Sequence, residues 1–220
     1  MNTFDIIGPV MVGPSSSHTA GAARIGKVAR MILGEEVCDA RIILHGSFAK
    51  TALGHGTDRA ILGGLMGYEV DDARIRESLA LAGEAGLTFS FENANLGNVH
   101  PNTTRLDITG KSGKKASVVG SSVGGGNILI TQVNGVEVSI GGDYYTLVIT
   151  HTDLPGVISS VTNILACFNI NIAFMRVYRS EKRGSAIMVI EADEEISDEI
   201  AGLIEQIPRI SRATIVKPVR

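Results

Sequence analysis

Cysteine is scarce in this chain of 220 residues, where Cys38 and Cys167 are the two that occur. Cys38 leads into a predicted strand and Cys167 lies within Ile164-Leu165-Ala166-Cys167-Phe168, so two buried free thiols are expected rather than a disulfide or a metal pair. Two thiols also fall short of the thiolate set of an iron–sulfur cluster. An excess of either charge is lacking too: 20 Lys and Arg face 23 Asp and Glu, for a net charge of -3 and a pI near 6.0. Nucleic acid or an anionic membrane would find no basic field here. No apolar run is long enough to cross a bilayer. The first residues, Met1-Asn2-Thr3-Phe4-Asp5, carry an acid where a secretory leader carries a basic region. These absences point to a cytoplasmic protein with neither a nucleic-acid nor a membrane partner.

What is present is unevenly placed. Of 26 glycines, 23 fall in the first 142 residues, and four of the five histidines, His18, His45, His55 and His100, lie there too. The shift divides the chain into residues 1–142, loop-rich and polar in its turns, and residues 143–220, compact and regular. Polar chemistry therefore belongs to the first part. Strand patterns occur near 40–45, 87–91, 106–108, 116–119, 128–130 and 136–140, the last two joined as a hairpin through Asn134-Gly135. Helical periodicity stops at Gly34, again at Gly67 after a cap at Thr57 or Asp58, and again at Gly86 after a cap at Asp71-Asp72, with Ile75, Leu79 and Ala82 facing inward. No period is assigned to residues 46–56, where His55 sits in a tight turn between Gly54 and Gly56.

The first part is organised around Gly13-Pro14-Ser15-Ser16-Ser17-His18-Thr19, with Gly8-Pro9 just before it and an amphipathic run just after. In that run Ile25, Val28, Ala29, Ile32 and Leu33 recur at helical spacing. A helix start leaves about four amide donors unpaired and carries positive partial charge, which suits a carboxylate or phosphate. One N-cap needs one hydroxyl; five consecutive hydroxyl or imidazole residues, four of them hydroxyls, exceed that need. Ser15, Ser16, Ser17 and Thr19 are therefore candidate anion-binding residues, and His18 is placed at the pole of the helix. Two further segments carry polar groups without a period. Residues 95–104 hold His100, Pro101 and Asn102 in a run of amides and hydroxyls. Gly120-Ser121-Ser122-Val123-Gly124-Gly125-Gly126 would let backbone approach a ligand or another chain, although it matches no phosphate-binding motif.

From Tyr144 the pattern is regular. A strand over 145–151 leads to the turn Asp153-Leu154-Pro155-Gly156, then to a helix whose apolar face is Val157, Ile158, Val161, Ile164, Leu165 and Phe168. Strands over 170–179 and 185–191, a helix over 197–206 and a strand over 210–216 complete the order βαββαβ, a ferredoxin-like unit. The fold class expected for the whole chain is α+β.

With its Asp153-x-Pro155-Gly156-Val157 turn, the C-terminal unit resembles an ACT domain, the amino-acid-sensing module. That resemblance implies effector contacts from Asp153, Gly156 and Asn171, and a homodimer formed through this domain. The first 142 residues resemble the beta domain of the iron–sulfur-dependent L-serine dehydratases. The likeness is carried by Gly13 to Thr19, His45-Gly46-Ser47, Gly54-His55-Gly56-Thr57-Asp58, His100-Pro101-Asn102 and Ser122-Val123-Gly124-Gly125-Gly126. It implies a fold related to the allosteric substrate-binding domain of some phosphoglycerate dehydrogenases. It also implies a partner, because in these enzymes three cysteines of a separate alpha domain or chain hold a [4Fe-4S] cluster. The chain then reads as the beta half of a two-chain L-serine ammonia-lyase, inactive alone, with L-serine as substrate. Dehydrating serine needs a carboxylate anchor, a base for the α-proton and help for the leaving hydroxide. His55 is taken as the base and His18 as a positioning group, with Ser15, Ser16, Ser17, Thr19, His100 and Asn102 toward the substrate; the residues alone leave open which histidine is which. No metal ligand is assigned to this chain. The competing reading is a module without chemistry that senses an anion or an amino acid for another enzyme.

Overall fold

The computed structural model describes residues 9–179 and 181–219; Asp5 and Gly8 of the opening segment lie outside the described residues. A π-helical turn, Ser16–Ala20, runs directly into α1 (Gly21–Leu33). Then follow β1 (Val37–Leu44), α2 (Gly46–His55), α3 (Thr57–Leu65), a 3-10 turn over Ala73–Glu77, α4 (Ser78–Glu84) and β2 (Thr88–Asn93). Four antiparallel strands come next: β3 (Thr103–Gly110), β4 (Lys115–Gly124), β5 (Asn127–Val133) and β6 (Val136–Ile140). The six strands form one sheet in the order β2-β1-β3-β4-β5-β6, with β1 and β2 parallel because three helices cross over between them.

Alternation along the strands decides which face is covered. Leu106, Ile108, Ala116, Val118, Ile128 and Ile130 point to one side and are buried under α1 and α3, while Arg105, Asp107, Val119, Val123 and Thr131 take the other. The helices α1 and α3 cross at backbone contact. A Cβ on Gly64 would collide with the Ala23 carbonyl oxygen, and one on Gly26 with the Ile61 carbonyl oxygen. α1 also settles closely on β4, where Ile25 occupies the space a side chain at Gly120 would need.

The second sheet has the order β10-β7-β9-β8, built from β7 (Tyr145–Thr152), α5 (Val157–Cys167), β8 (Ile172–Arg179), β9 (Ser185–Ala192), α6 (Asp198–Glu205) and β10 (Ile210–Val216). Leu147, Ile149, Met188 and Ile190 face α5 and α6, whereas Val148, Ile187, Val189 and Val216 join the core of the first domain. Edge strand β10 is tied to α1, since the Arg212 guanidinium donates to the Leu33 carbonyl and the Lys217 N–H approaches Met31 Sδ at 3.2 Å. The other edge, β8, exposes Phe174 and Met175 at 49% and 39%. A mixed first sheet and an antiparallel second, each with helices on one face, give the α+β class, and the βαββαβ unit is observed as expected. No helix among the described residues is long and apolar enough to cross a membrane.

Several local expectations are corrected. Residues 46–55 form α2, which Gly and Thr punctuation conceals from periodicity. Thr57 and Asp58 do not cap α3; Gly56 takes the N-cap position, and both residues are buried inside its first turn. Gly120 and Gly124 belong to β4 and Gly126 ends the hairpin turn, so this glycine stretch serves the approach of α1 and accepts Arg24 on the Gly126 carbonyl at 2.7 Å. Leu79, Ile158 and Phe168 are exposed at the margins of their helix faces; Cys167 is exposed because α5 lies at the surface and ends there, and Cys38, near the start of β1, is half-buried.

The crossing of α1 and α3 makes a stability prediction. Gly64→Ala should cost roughly 1–3 kcal/mol, as overpacking does when backbone is the obstacle. Gly202→Ala, in α6 with nothing within 4 Å of the new Cβ, should instead stabilise by about 0.4–1 kcal/mol. Denaturant midpoints of the two variants measure the difference; equal midpoints would contradict the tight crossing.

Candidate active site

The α1–α3 crossing sets two chain segments side by side: the π-helical turn that leads into α1 and the α2–α3 corner that leads into α3. Ser15 has extended backbone and caps the turn, its Oγ accepting the His18 N–H at 3.2 Å, and the Gly21 N–H reaches five residues back to the Ser16 carbonyl. Such widened turns recur at functional sites because they turn one residue off the helix face. Here that residue region is His18-Thr19. Thr19 is buried and its hydroxyl donates to the His55 carbonyl at 3.1 Å, which fastens the two segments together.

His18 is held at both ring nitrogens. Nε2 lies 2.9 Å from Ser47 Oγ and Nδ1 lies 3.3 Å from Ser15 Oγ. A neutral imidazole donates from one ring nitrogen and accepts at the other, and a serine hydroxyl can complement either role. The Phe48 ring meets the imidazole edge-on at 5.6 Å and the His55 ring lies 5.0 Å away. Burial lowers the His18 pKa below its ordinary value, and charge on His55 lowers it further. His55 is the contrasting partner: its Nδ1 is buried, and no hydrogen bond reaches either of its ring nitrogens among the described residues. Thr57 Oγ1 and Asp58 Oδ1, just past it, are also buried and unpartnered.

Ser47 is delivered by the strand-to-helix corner after β1. Gly46 takes a positive φ of 56° there, and a Cβ would press on Pro101. The loop over 94–102 is stitched to this corner: the Ser47 N–H donates to the Pro101 carbonyl at 2.8 Å, and the Leu96 N–H donates to His45 Nδ1 at 3.1 Å.

The sequence-predicted residues thus fall into three groups. Ser15, His18, Thr19 and His55 are brought together. Ser16 and Ser17 are half-buried in the same turn with no side-chain hydrogen bond among the described residues. His100 and Asn102 stand apart: His100 is exposed, spends Nδ1 on the Asn102 N–H at 3.1 Å, and lines a cavity of about 610 Å³ on the open sheet face. They reach the site only through the backbone of Pro101 between them. Ser47 was overlooked as a site residue, although its place where a strand ends and a helix begins was a usable signal.

In the second domain the predicted effector residues are separated. Asp153 receives the Arg179 guanidinium at 3.0 Å and the Arg183 N–H at 3.2 Å, and its bond with Arg179 holds its carboxyl below the usual range. Gly156 is the N-cap of α5. Asn171 sits beyond the opposite end of β8, its N–H on Glu194 at 3.0 Å. A ligand touching both Asp153 and Asn171 would need two chains.

The residues present do not make a metal site. Cys38 and Cys167 are in different domains, and among the described residues no group of three or more His, Cys, Asp or Glu could hold a metal ion. What the site can do is bind an anion through hydroxyls and amides and move a proton on imidazole.

The charge on His18 is directly measurable. In NMR titrations of the chain the His18 midpoint should lie below that of a free imidazole, and His55→Gln should raise it while leaving it below the free value, because burial is the larger cause. Between those two values the unfolded chain holds the extra proton, so acidification through that window should lower stability. A midpoint at or above the free value would contradict the buried geometry.

Comparison with known proteins gives a consistent picture. The family model described as serine dehydratase beta chain matches residues 2–133, and that of the ACT domain matches residues 145–209. A protein of Bacillus subtilis named probable L-serine dehydratase, beta chain, is 43% identical over 213 residues, covering 97% of this chain and 96% of that one. The L-serine dehydratase, beta chain, of Peptoniphilus asaccharolyticus is 38% identical over 217 residues, 98% of each. A D-3-phosphoglycerate dehydrogenase of Bacillus subtilis is 29% identical over 197 residues, 89% of this chain and 37% of that one.

Proposed function

This chain belongs to the serine dehydratase beta chain family, with an ACT domain behind the family's own, and on that premise we propose that it is one half of a two-chain L-serine ammonia-lyase. Its substrate is L-serine, and the products are pyruvate and ammonia. The observation that carries the reading is the contrast between the two histidines: His18 is held at both nitrogens by Ser15 and Ser47, while His55, 5.0 Å away, meets no hydrogen-bond partner at either among the described residues.

On this chain the chemistry is a proton removal. His55 accepts the α-proton, the electron pair left on Cα closes a double bond to Cβ, and hydroxide leaves Cβ. The enamine tautomerises to the imine, which water hydrolyses to pyruvate and ammonia. His18 positions the substrate, kept neutral by burial so that it does not compete for the proton or repel a charged His55. The [4Fe-4S] cluster that the family resemblance implies does not fit the residues of this chain, which lack a thiolate set. It belongs, in this proposal, to a separate alpha chain, and no step above runs through it.

Two copies of the chain join along β8, whose exposed Phe174 and Met175 extend the second sheet. The dimer would bring the Asp153 turn of one copy near the Asn171 end of the other, as an amino-acid effector site requires.

Anaerobic mixing of the chain with a cluster-carrying alpha chain should produce pyruvate from L-serine, and the chain alone should be colourless and inactive. His55→Ala should reduce kcat by about 10²–10⁴-fold, the usual size for a lost general base, and His18→Ala should also reduce turnover. Near-normal turnover in both variants would place the active site elsewhere. Light scattering on the full chain should give the mass of a dimer, and Phe174→Glu should return it to a monomer.

A further inference from the structure

A cavity of about 150 Å³ opens beside His55, between the segment before α1 and the start of α3. Thr19, His55, Arg59 and Arg76 supply its polar lining, and among the described residues no carboxylate lines it. The volume corresponds to about five water molecules. It is below the roughly 300–1,000 Å³ of drug-sized pockets, so a three-carbon acid fits and a nucleotide does not.

Among the described residues the side chains of Arg59, Arg76, Arg183 and Arg209 meet no partner, and of these Arg59 and Arg76 line the cavity. Arg41, Arg74, Arg105 and Arg179 each lie against a carboxylate, of Glu92, Asp72, Asp107 and Asp153 respectively. Arg59 and Arg76 meet no hydrogen bond or ion pair among the described residues, although Arg76 is only two positions from the paired Arg74. They come from different elements, Arg59 from the first turn of α3 and Arg76 from the 3-10 turn over Ala73–Glu77, and converge on the same cavity. Two guanidinium groups without a partner or a facing acid among the described residues, on one small cavity, make a site for a planar anion.

We propose that Arg59 and Arg76 bind the carboxylate of a small amino-acid substrate in this cavity, leaving its Cα beside the His55 imidazole. The proposal rests on the lyase reading, and it moves the carboxylate anchor from the serine-rich turn to the arginine pair. Of the serines in the turn Ser15 then serves His18, while Thr19 on the cavity wall closes the site against the His55 carbonyl.

Two measurements test it. In the first, the full chain alone is titrated with L-serine, L-serine amide and inorganic phosphate while the His55 ring signals are followed by NMR. L-serine and phosphate should shift them and the amide should not, and Arg59→Gln and Arg76→Gln should each weaken serine binding at least about tenfold, as loss of a charge-assisted hydrogen bond does. Both side chains are exposed, so the variants keep their fold. Unchanged binding in both variants, amide binding equal to that of serine, or phosphate binding without serine binding overturns the proposal. In the second, pyruvate formation by the assembled two-chain enzyme should show KM for L-serine raised by a similar factor in each variant with kcat within about threefold, and Arg59→Lys should recover part of the loss. Lowered kcat at unchanged KM in both variants also overturns it. If the wild-type assembly makes no pyruvate, the lyase reading fails, and the first measurement still decides the arginine pair.

Discussion

The backbone contact between α1 and α3 is the constraint from which the rest of the first domain follows. Gly26 and Gly64 let the two helices touch at the level of carbonyl oxygens, where even a methyl group has no room. Since His18 lies in the turn that enters α1 and His55 in the corner that enters α3, bringing the helices together also brings the two imidazoles to 5.0 Å. Interiors as dense as protein cores do not absorb a shifted helix locally, so the distance between the histidines is set by packing far from either ring.

The polar inventory of the site is mostly hydroxyl, imidazole, amide and guanidinium, with the buried Asp58 as its one acid among the described residues. A neutral His18 bridged by two serines needs no counter-charge, and the arginines on the adjacent cavity have none among the described residues. Among the described residues these groups suit an anion and make no metal cluster. The orphaned atoms of His55, Thr57 and Asp58 lie on one short corner. Buried polar groups cost free energy unless something satisfies them, and a corner that carries three is built to meet a ligand, water or a partner.

The domains are joined through the same helix. α1 has the His18 turn at one end and, 13 residues or about 20 Å later, the Leu33 carbonyl that accepts Arg212 at the other. Because β10 is covered in this way, β8 is left as the open edge of the second sheet, and its exposed Phe174 and Met175 are the apolar surface on that side.

The sequence by itself determined what is local and periodic. It marked α1 by its stripe and its stop at Gly34, the Asn134-Gly135 hairpin, the cap at Asp72, the βαββαβ order of the second domain, and the turn around His18 as a place with more polar groups than a cap requires. These features depend on neighbours within a few residues, which a single chain displays. Tertiary structure alone decided the rest. α2 lies over residues whose glycines and threonines carry no strong stripe, and its helix is held by packing and by the Pro101 carbonyl. Ser47 meets His18 across 29 positions, Thr19 meets the His55 carbonyl across 36, and Arg59 and Arg76 share a cavity with Gly13. The glycines of residues 120–126 read as a ligand loop and proved to be the seat of α1. Leu79, Ile158 and Phe168 fit an inward pattern yet lie outward, since a helical period says which residues share a face and not where the covered face ends. Contacts between distant segments depend on how closely two backbones approach, and that is settled by packing in three dimensions.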